Sequence, residues 1–392
     1  MAEATADDPA AAFDEIVIGS SPLMLLIARD AALRGARVLL LDDGDLPGGM
    51  WKVVTLRSGA KCECACHLIE DFPMIYDYLG RVTGSRFELL DPQPDRIAPN
   101  GLATRYSTRF TVLARVVKAA VHWIVLGSRA LLGPLSMERR IKLDGAKLHL
   151  LDFTRFLWPK LITGFQVAAP ADGYADFCQR LTDSASEAGV TIRRGHVRRV
   201  RREGTKWQLE VEGQQTLRSD KVHCTASATL ELRGGTRLEA YVPSSGVSLN
   251  TVALVPNDKI VRRTAYTLFP NDPHVLRISR IDQPVGAEVG YQLYLLQFRR
   301  EEPMPVGTRS EIVASKLLKA GIINDAKDVS MAENIESQFT PIDRLRQLPE
   351  GEIMPGLFVY SSAGNLSSGV LSWLKGKKRF SLGRVQAARL GT

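Results

Sequence analysis

Residues 14–19 read Asp-Glu-Ile-Val-Ile-Gly, and residues 37–43 read Arg-Val-Leu-Leu-Leu-Asp-Asp. Both are apolar runs of strand length. The stretch between them, Pro22 to Leu33, puts Leu26, Ala28, Ala31 and Ala32 where one helix face can meet a sheet. Gly35 closes that helix. Strand, helix and strand in this order make a βαβ unit. Asp42 stands 23 residues after Gly19, with Asp43 behind it. That is near the spacing of about 20 at which an acid meets a ribose hydroxyl in dinucleotide-binding units.

The connecting loop departs from the glycine-rich rule. The pattern asks for glycine at 19, 21 and 24, and the chain offers Gly19-Ser20-Ser21-Pro22-Leu23-Met24. Gly19 serves the tight turn, and Ser20 and Ser21 follow it. Ser21 is small enough to let a pyrophosphate approach the helix amino end, where backbone donors and the dipole favour anions. Met24 occupies the place of the third glycine, which ordinarily permits close helix–strand packing. Taken alone, the loop leaves open a βαβ unit that carries no nucleotide.

Three further segments narrow the reading. The first is Leu46-Pro47-Gly48-Gly49-Met50-Trp51, followed by Cys66-His67-Leu68-Ile69 and a helix-like stretch from Met74 to Gly80. The second runs from Pro170-Ala171-Asp172-Gly173-Tyr174 through a helix, Ala175 to Ala188, and a strand, Gly189 to Arg194. It continues through His196-Val197-Arg198-Arg199-Val200 and Lys206 to Glu212, and ends on Lys221 to Ser227. The third is the strand Pro355 to Tyr360, then Ser361-Ser362-Ala363-Gly364-Asn365 and a helix from about Ser368-Gly369-Val370.

In order and spacing these segments resemble the large FAD family of amine oxidases, protoporphyrinogen oxidase and UDP-galactopyranose mutase. The resemblance covers about half of the chain. It implies a Rossmann-like α/β FAD-binding domain and a second substrate domain of antiparallel sheet plus helices. It also implies FAD held non-covalently by Gly19, Ser20, Ser21, Asp42, Asp43, Gly48, Gly49, Met50 and Trp51. Val197 would lie at the adenine, and Gly364, Asn365, Ser368, Gly369 and Val370 near the flavin. Asn365 stands where the family has aspartate, which keeps a hydrogen bond and removes a charge. The region after Cys224 has no cysteine to attach a flavin covalently. His67 is implied beside the isoalloxazine ring, where a neutral imidazole can hydrogen-bond the cofactor or relay a proton.

Composition sets outer limits. The chain has 392 residues, 45% hydrophobic and 24% charged, long enough for more than one core. Residues 1–12 are small and acidic and read as a flexible tail without a secretory signal, so a cytoplasmic protein is expected. The net charge is +8, with Arg193, Arg194, Arg198, Arg199, Arg201 and Arg202 clustered. Such a cluster fits an anionic partner or a solvated strand face; no nucleic-acid-binding signature accompanies it, and none is expected to bind. Cys62, Cys64 and Cys66 fall on one face of a strand, without the paired CxxC spacing of a zinc site, so no metal is expected.

The expected domains are 13–90, 170–232 and 340–392 for the discontinuous FAD-binding part. A helical insert, 91–169, and an antiparallel sheet, 233–339, make up the substrate domain. Within the insert, Phe110 to Leu132 mixes apolar residues with Arg115, Lys118, His122 and Arg129. It reads as an amphipathic helix, packed internally or touching a membrane surface peripherally. Arg277 and Arg280 fall in a strand that resembles the family's substrate-facing strand, and either could hold an anionic group. The expected function is oxidation of a small or lipophilic organic substrate by hydride transfer to flavin. Two alternatives remain at this stage: a non-redox mutase-like enzyme acting on a nucleotide sugar, and a cofactor-poor scaffold that kept the fold. Oligomeric state is not legible.

Overall fold

The apolar run at the start of the chain forms strand β1 (Phe13–Ile18), followed by helix α1 (Pro22–Leu33) and strand β2 (Val38–Asp42). These belong to a computed structural model that describes residues 13–44, 47–59, 61–63, 69–70, 73–90, 95–97, 103–105, 117, 167–213, 216–225, 247–262, 266–269, 272–281, 290–298, 306–338, 351–360 and 370. β1 lies between β2 and the strand Leu217–Thr225, parallel to both. Thr191–Arg194 joins β2, and Leu357–Tyr360 joins Leu217–Thr225, again in parallel. The spatial order is therefore 191–194, 38–42, 13–18, 217–225, 357–360. Antiparallel strands Lys206–Val211 and Val197–Glu203 extend the sheet from the early half of Leu217–Thr225.

Parallel strands covered on both faces read as unbroken apolar runs, and this sheet supplies both covers. On one side Val17, Val38 and Leu40 pack with Leu23, Met24, Ile27, Ala28 and Ala31 of α1 and with Phe177 and Leu181 of the helix Tyr174–Glu187. On the other, Ile16, Leu39, Leu41, Val222 and Cys224 meet Val200, Trp207, Leu209 and Val211 of the antiparallel extension. Met24 is fully buried. The helix thus meets the sheet through a thioether side chain that fills irregular space, rather than through the bare backbone of a third glycine.

A seven-stranded sheet follows the order Met331–Gln338, Val247–Pro256, Tyr291–Phe298, Val275–Ile281, Tyr266–Leu268, Asp95–Ile97, Ala103–Arg105. The last two strands come from the stretch expected to be a helical insert. The helix Val306–Lys319 covers one face through Val313 and Leu317, against Ala253, Val255, Ile278, Tyr294, Leu296 and Phe298. Sequence reading takes 233–339 mainly as strands and leaves this helix out, although Val313, Leu317 and Ala320 have helical spacing. The other face, built from Val252, Leu254, Ile281, Leu293, Leu295 and Ile335, packs on Leu56 and Cys62. Those two belong to the hairpin that pairs Val53–Thr55 with Lys61–Glu63.

Three of the six clustered arginines, Arg198, Arg199 and Arg201, face acids across antiparallel strands. Arg198 bonds Glu212, Arg199 and Arg201 reach Glu210, and Arg218 bonds Glu203. Opposite charges facing each other across antiparallel strands are a solvated sheet face. Phe110 to Leu132 lies outside the described residues except for Val117, which is exposed. No helix among the described residues is long and apolar enough to cross a membrane.

Candidate functional site

At the carboxyl end of β1 the chain turns at Gly19, whose φ of 98° is open to glycine at little cost. Its N–H donates to Leu41 O at 2.8 Å, tying the turn to β2. The N–H of Ser20 then donates to Asp42 Oδ2 at 2.7 Å, and that of Gly44 to Asp42 Oδ1 at 2.8 Å. Gly48 donates to both Ser20 O, at 3.1 Å, and Ser20 Oγ, at 3.0 Å. A β-carbon on Gly49 would sit 3.4 Å from the Ser21 backbone. The turn at 48–49 and the loop 19–21 therefore close on each other, and the φ of 57° at Gly49 is a left-handed conformation that glycine adopts at little cost.

α1 starts at this junction, with Ser21 as its N-cap residue and Pro22 at the first position. The first intrahelical bond runs from Leu25 N–H to Ser21 O, at 3.0 Å. The Ser21 side chain makes no capping bond, and its buried hydroxyl has no hydrogen-bond partner. First-turn amides, the positive end of the dipole and an unused hydroxyl converge on one spot, which fits an anionic group such as a pyrophosphate. The loop presents these groups without the second and third glycines of the usual pattern.

Asp42 and Asp43 divide. Each Asp42 oxygen already accepts a backbone N–H, yet a carboxylate has about four acceptor positions, so room for hydroxyl donors remains. Asp43 is exposed, 3.4 Å from His196 Nδ1. Gly195 N–H donates to Asp42 O at 2.9 Å, which brings half-buried Val197 beside the end of β2.

Trp51 and Val370 are buried in the α1-side core. The Trp51 ring lies 5.4 Å from Tyr174 and 6.3 Å from Phe177. Its carbonyl faces the Cys178 thiol at 3.6 Å. Burial, and then the nearby Glu63, pushes that thiol up to about 12, so it is a packed sulfhydryl and not a nucleophile. Met50 lies in the short turn Gly49–Trp51. His67, Gly364, Asn365, Ser368 and Gly369 lie outside the described residues, as do Cys64 and Cys66. Among the described residues no group of three or more His, Cys, Asp or Glu gathers as a metal site.

Arg277 and Arg280 are not brought together. They are three apart on one strand, and strand side chains alternate. Arg277 stands opposite Gln297, on the face with Leu295 and Leu293; Arg280 stands opposite Tyr294, on the face that the helix covers. Gln297 also pairs with Asn250, so Asn250, Gln297 and Arg277 form a polar row on the hairpin-facing side.

One buried polar group was not foreseen. Glu15, on β1, accepts from His223 Nε2 at 3.0 Å and from Lys221 Nζ at 2.8 Å. His223 Nδ1 lies 3.1 Å from the Tyr360 hydroxyl, and its ring stacks on Phe358 at 4.7 Å. Burial alone would raise the Glu15 carboxyl; the bonds from His223 and Lys221 outweigh it and hold it at about 2. An acid inside the apolar run 14–19 was the available signal, because a buried charge requires a partner.

Neither a protein-family model nor a curated protein sequence matches the chain. Solved structures do. Putrescine oxidase bound to putrescine matches with a TM-score of 0.57 at 12% identity, over 93% of this chain and 99% of that one. Cyclohexylamine oxidase from Brevibacterium oxydans matches at 0.60 and 15%, over 91% and 97%. This chain has the amine-oxidase fold. An oxidoreductase from Methanosarcina mazei shares it, at 0.59 and 15%, over 92% and 100%. At such identities the likeness concerns the fold. It assigns no substrate.

Proposed function

We propose that the chain is an FAD-dependent oxidoreductase that oxidises a small or lipophilic organic substrate, with FAD bound non-covalently in a Rossmann-like domain. The observation that carries this reading is the junction of Gly19–Ser21, Gly48–Gly49 and the amino end of α1, where the Ser21 hydroxyl has no partner. Ser20, Ser21 and the first-turn amides hold the pyrophosphate. Asp42 and Asp43 take the ribose hydroxyls, and Val197 borders the adenine. Met50 and Trp51 carry the backbone past the cofactor, with the Trp51 ring anchored in the core. His67, Gly364, Asn365, Ser368, Gly369 and Val370 complete the flavin end, His67 as hydrogen-bond or proton relay.

A bound flavin would supply the hydride-accepting chemistry that no side chain offers. The chain orients the substrate and excludes water. Arg277, in its row with Asn250 and Gln297, holds an anionic or polar group on the hairpin-facing side of the sheet, while Arg280 supports the opposite face. The parts 13–90, 170–232 and 340–392 act as the cofactor domain, and 91–169 with 233–339 as the substrate domain.

The test is the visible absorption spectrum of the purified protein before and after heat release of its cofactor. Flavin bands with one FAD released per chain are expected. A colourless protein that takes up no added FAD would overturn the proposal.

A further inference from the structure

Two titratable groups are buried together in the parallel sheet. Glu15 of β1 and His223 of the neighbouring strand are 4% and 6% exposed. The Glu15 carboxylate is held at about 2, so it is ionised and cannot donate; the proton between it and His223 Nε2 belongs to the imidazole. On the other side of the ring, Nδ1 lies 3.1 Å from the hydroxyl of Tyr360, at the end of the strand Leu357–Tyr360. Phe358 and Tyr360 stack on the imidazole at 4.7 and 6.0 Å. Carboxylate, imidazole and phenol thus form one chain across three parallel strands. The other charged groups that face it are Lys221, which bonds Glu15 at 2.8 Å, and Arg34 at the end of α1, 3.8 Å from Glu15 and itself bonded to Asp30. Lys221 and Arg34 are about half exposed, so the Glu15 end of the chain meets solvent.

The chain is satisfied in either protonation state, with opposite polarity at its far end. With His223 neutral, Nε2–H donates to Glu15 and Nδ1 accepts from the Tyr360 hydroxyl. With His223 protonated, Nε2–H still donates to Glu15, and Nδ1–H donates to the Tyr360 oxygen. Glu15 supplies the balancing charge, which a buried cation requires. Both bonds of the ring are then charge-assisted, and such bonds are stronger than neutral ones. Tyr360 stands opposite Thr225 in register, and a β-carbon on Gly19 would lie 3.6 Å from Thr225 Cγ2. The phenol end therefore sits at the level where the parallel strands deliver the Gly19–Ser21 loop.

We infer that His223 is a proton-sensitive positioning residue, which on taking up a proton tightens the strand Leu357–Tyr360 onto the sheet beside the Gly19 turn. The consequence for the cofactor rests on the reading of that turn as a flavin site: FAD is held more firmly as pH falls through the His223 titration. Glu15 stays ionised from about pH 8 to about pH 5, the range in which histidine side chains change charge, so the two titrations do not overlap.

The test follows the flavin-free full-length chain across that range. Nitrogen-15 spectra of the imidazole report protonation of His223, and amide hydrogen exchange reports the strand. Protection of amides 357–360, divided by that of amides 38–42 on the far side of β1, should rise about fivefold on protonation, the factor between a neutral and a charge-assisted bond. Tyr360→Phe keeps the ring and removes the hydroxyl, and should leave the ratio flat, as should His223→Gln. If His223→Gln does not fold, Tyr360→Phe decides. In a second arm the Kd for FAD, read by flavin fluorescence, should fall by about the same factor and become flat in the same variants. The inference is overturned if His223 stays neutral throughout, if the ratio does not follow its protonation, or if Tyr360→Phe keeps the wild-type response. If FAD binds but its Kd does not follow the ratio, the cofactor consequence is overturned. A chain that takes up no FAD refutes the flavin reading, and the exchange ratio still decides the role of His223.

Discussion

Asp42 ties the 19–21 loop to the end of β2. Its two oxygens bind the amides of Ser20 and Gly44, so the carboxylate sets the geometry of the turn that Gly48 then caps. Hydrogen bonds to a charged group contribute about 1.5–3 kcal/mol each where buried and less where water competes. Asp42→Ala should therefore lower the stability of flavin-free protein by about 1–3 kcal/mol, read as its melting temperature, and also raise the Kd for FAD. Asp43→Ala, which removes an exposed carboxylate, should leave the melting temperature within error and affect FAD alone. Equal melting behaviour of the two variants would remove the structural role from Asp42. The spacing from Gly19 made an acid legible here, but not its second task, because a backbone-directed bond leaves no trace in residue type. Met24 was the opposite case: its side chain looked like an obstacle at a glycine position and proved to be core.

Among elements, β1 carries the least expected load. Glu15 is buried on the central strand and tied to His223 and Lys221 on the neighbouring strand, with Tyr360 one strand further. The carboxyl is held at about 2, below its ordinary 4.5. Its contribution is therefore complete above pH 4.5 and drains away as pH falls toward 2. Its full extent is roughly 3 kcal/mol at most, at 1.36 kcal/mol per unit. Glu15→Gln should flatten the acid limb of a stability-against-pH curve measured by denaturant unfolding between pH 5 and 2. A variant curve parallel to that of wild type would show that other carboxylates set the acid limb. The βαβ unit was legible because its strands are buried on both faces and so read as apolar runs. The opposite facing of Arg277 and Arg280 was also legible in principle, since a three-residue offset on a strand always changes face. The helix Val306–Lys319 had the right periodicity, but it sits among strands that drew the reading toward sheet.

On the scale of the whole molecule, the paired strands Val53–Thr55 and Lys61–Glu63 follow the turn that meets the 19–21 loop and pack on the second large sheet. Leu56 and Cys62 enter the cluster of Val252, Leu254, Leu293 and Leu295, and the N–H of Arg57 donates to Glu333 Oε2 at 2.8 Å. Leu56→Ala removes a buried side chain at that seam, and large-to-small changes in cores cost about 2–5 kcal/mol. Calorimetry should find wild type melting in one transition and Leu56→Ala melting earlier, with the transition broadened or split as the sheets uncouple. A single, unshifted transition would mean that the seam is held elsewhere. Nothing in the sequence marked this hairpin as a link, because its two buried side chains look like any short strand pair until the second sheet stands against them.

The pairing of Leu357–Tyr360 with Leu217–Thr225 also has a meaning in time. Cys224 and Phe358 meet across 134 positions of chain, and Glu15 and His223 across 208. Contacts so distant in sequence form slowly, because a long loop must close before it is rewarded. During synthesis β1 and β2 leave the ribosome early, with Glu15 waiting for its histidine and one edge of the parallel sheet open until residue 360 has emerged. In that interval the nascent chain exposes an apolar sheet edge and a charge without its partner. Exposed edges of this kind are what chaperones cover during synthesis, whatever reaction the finished protein performs.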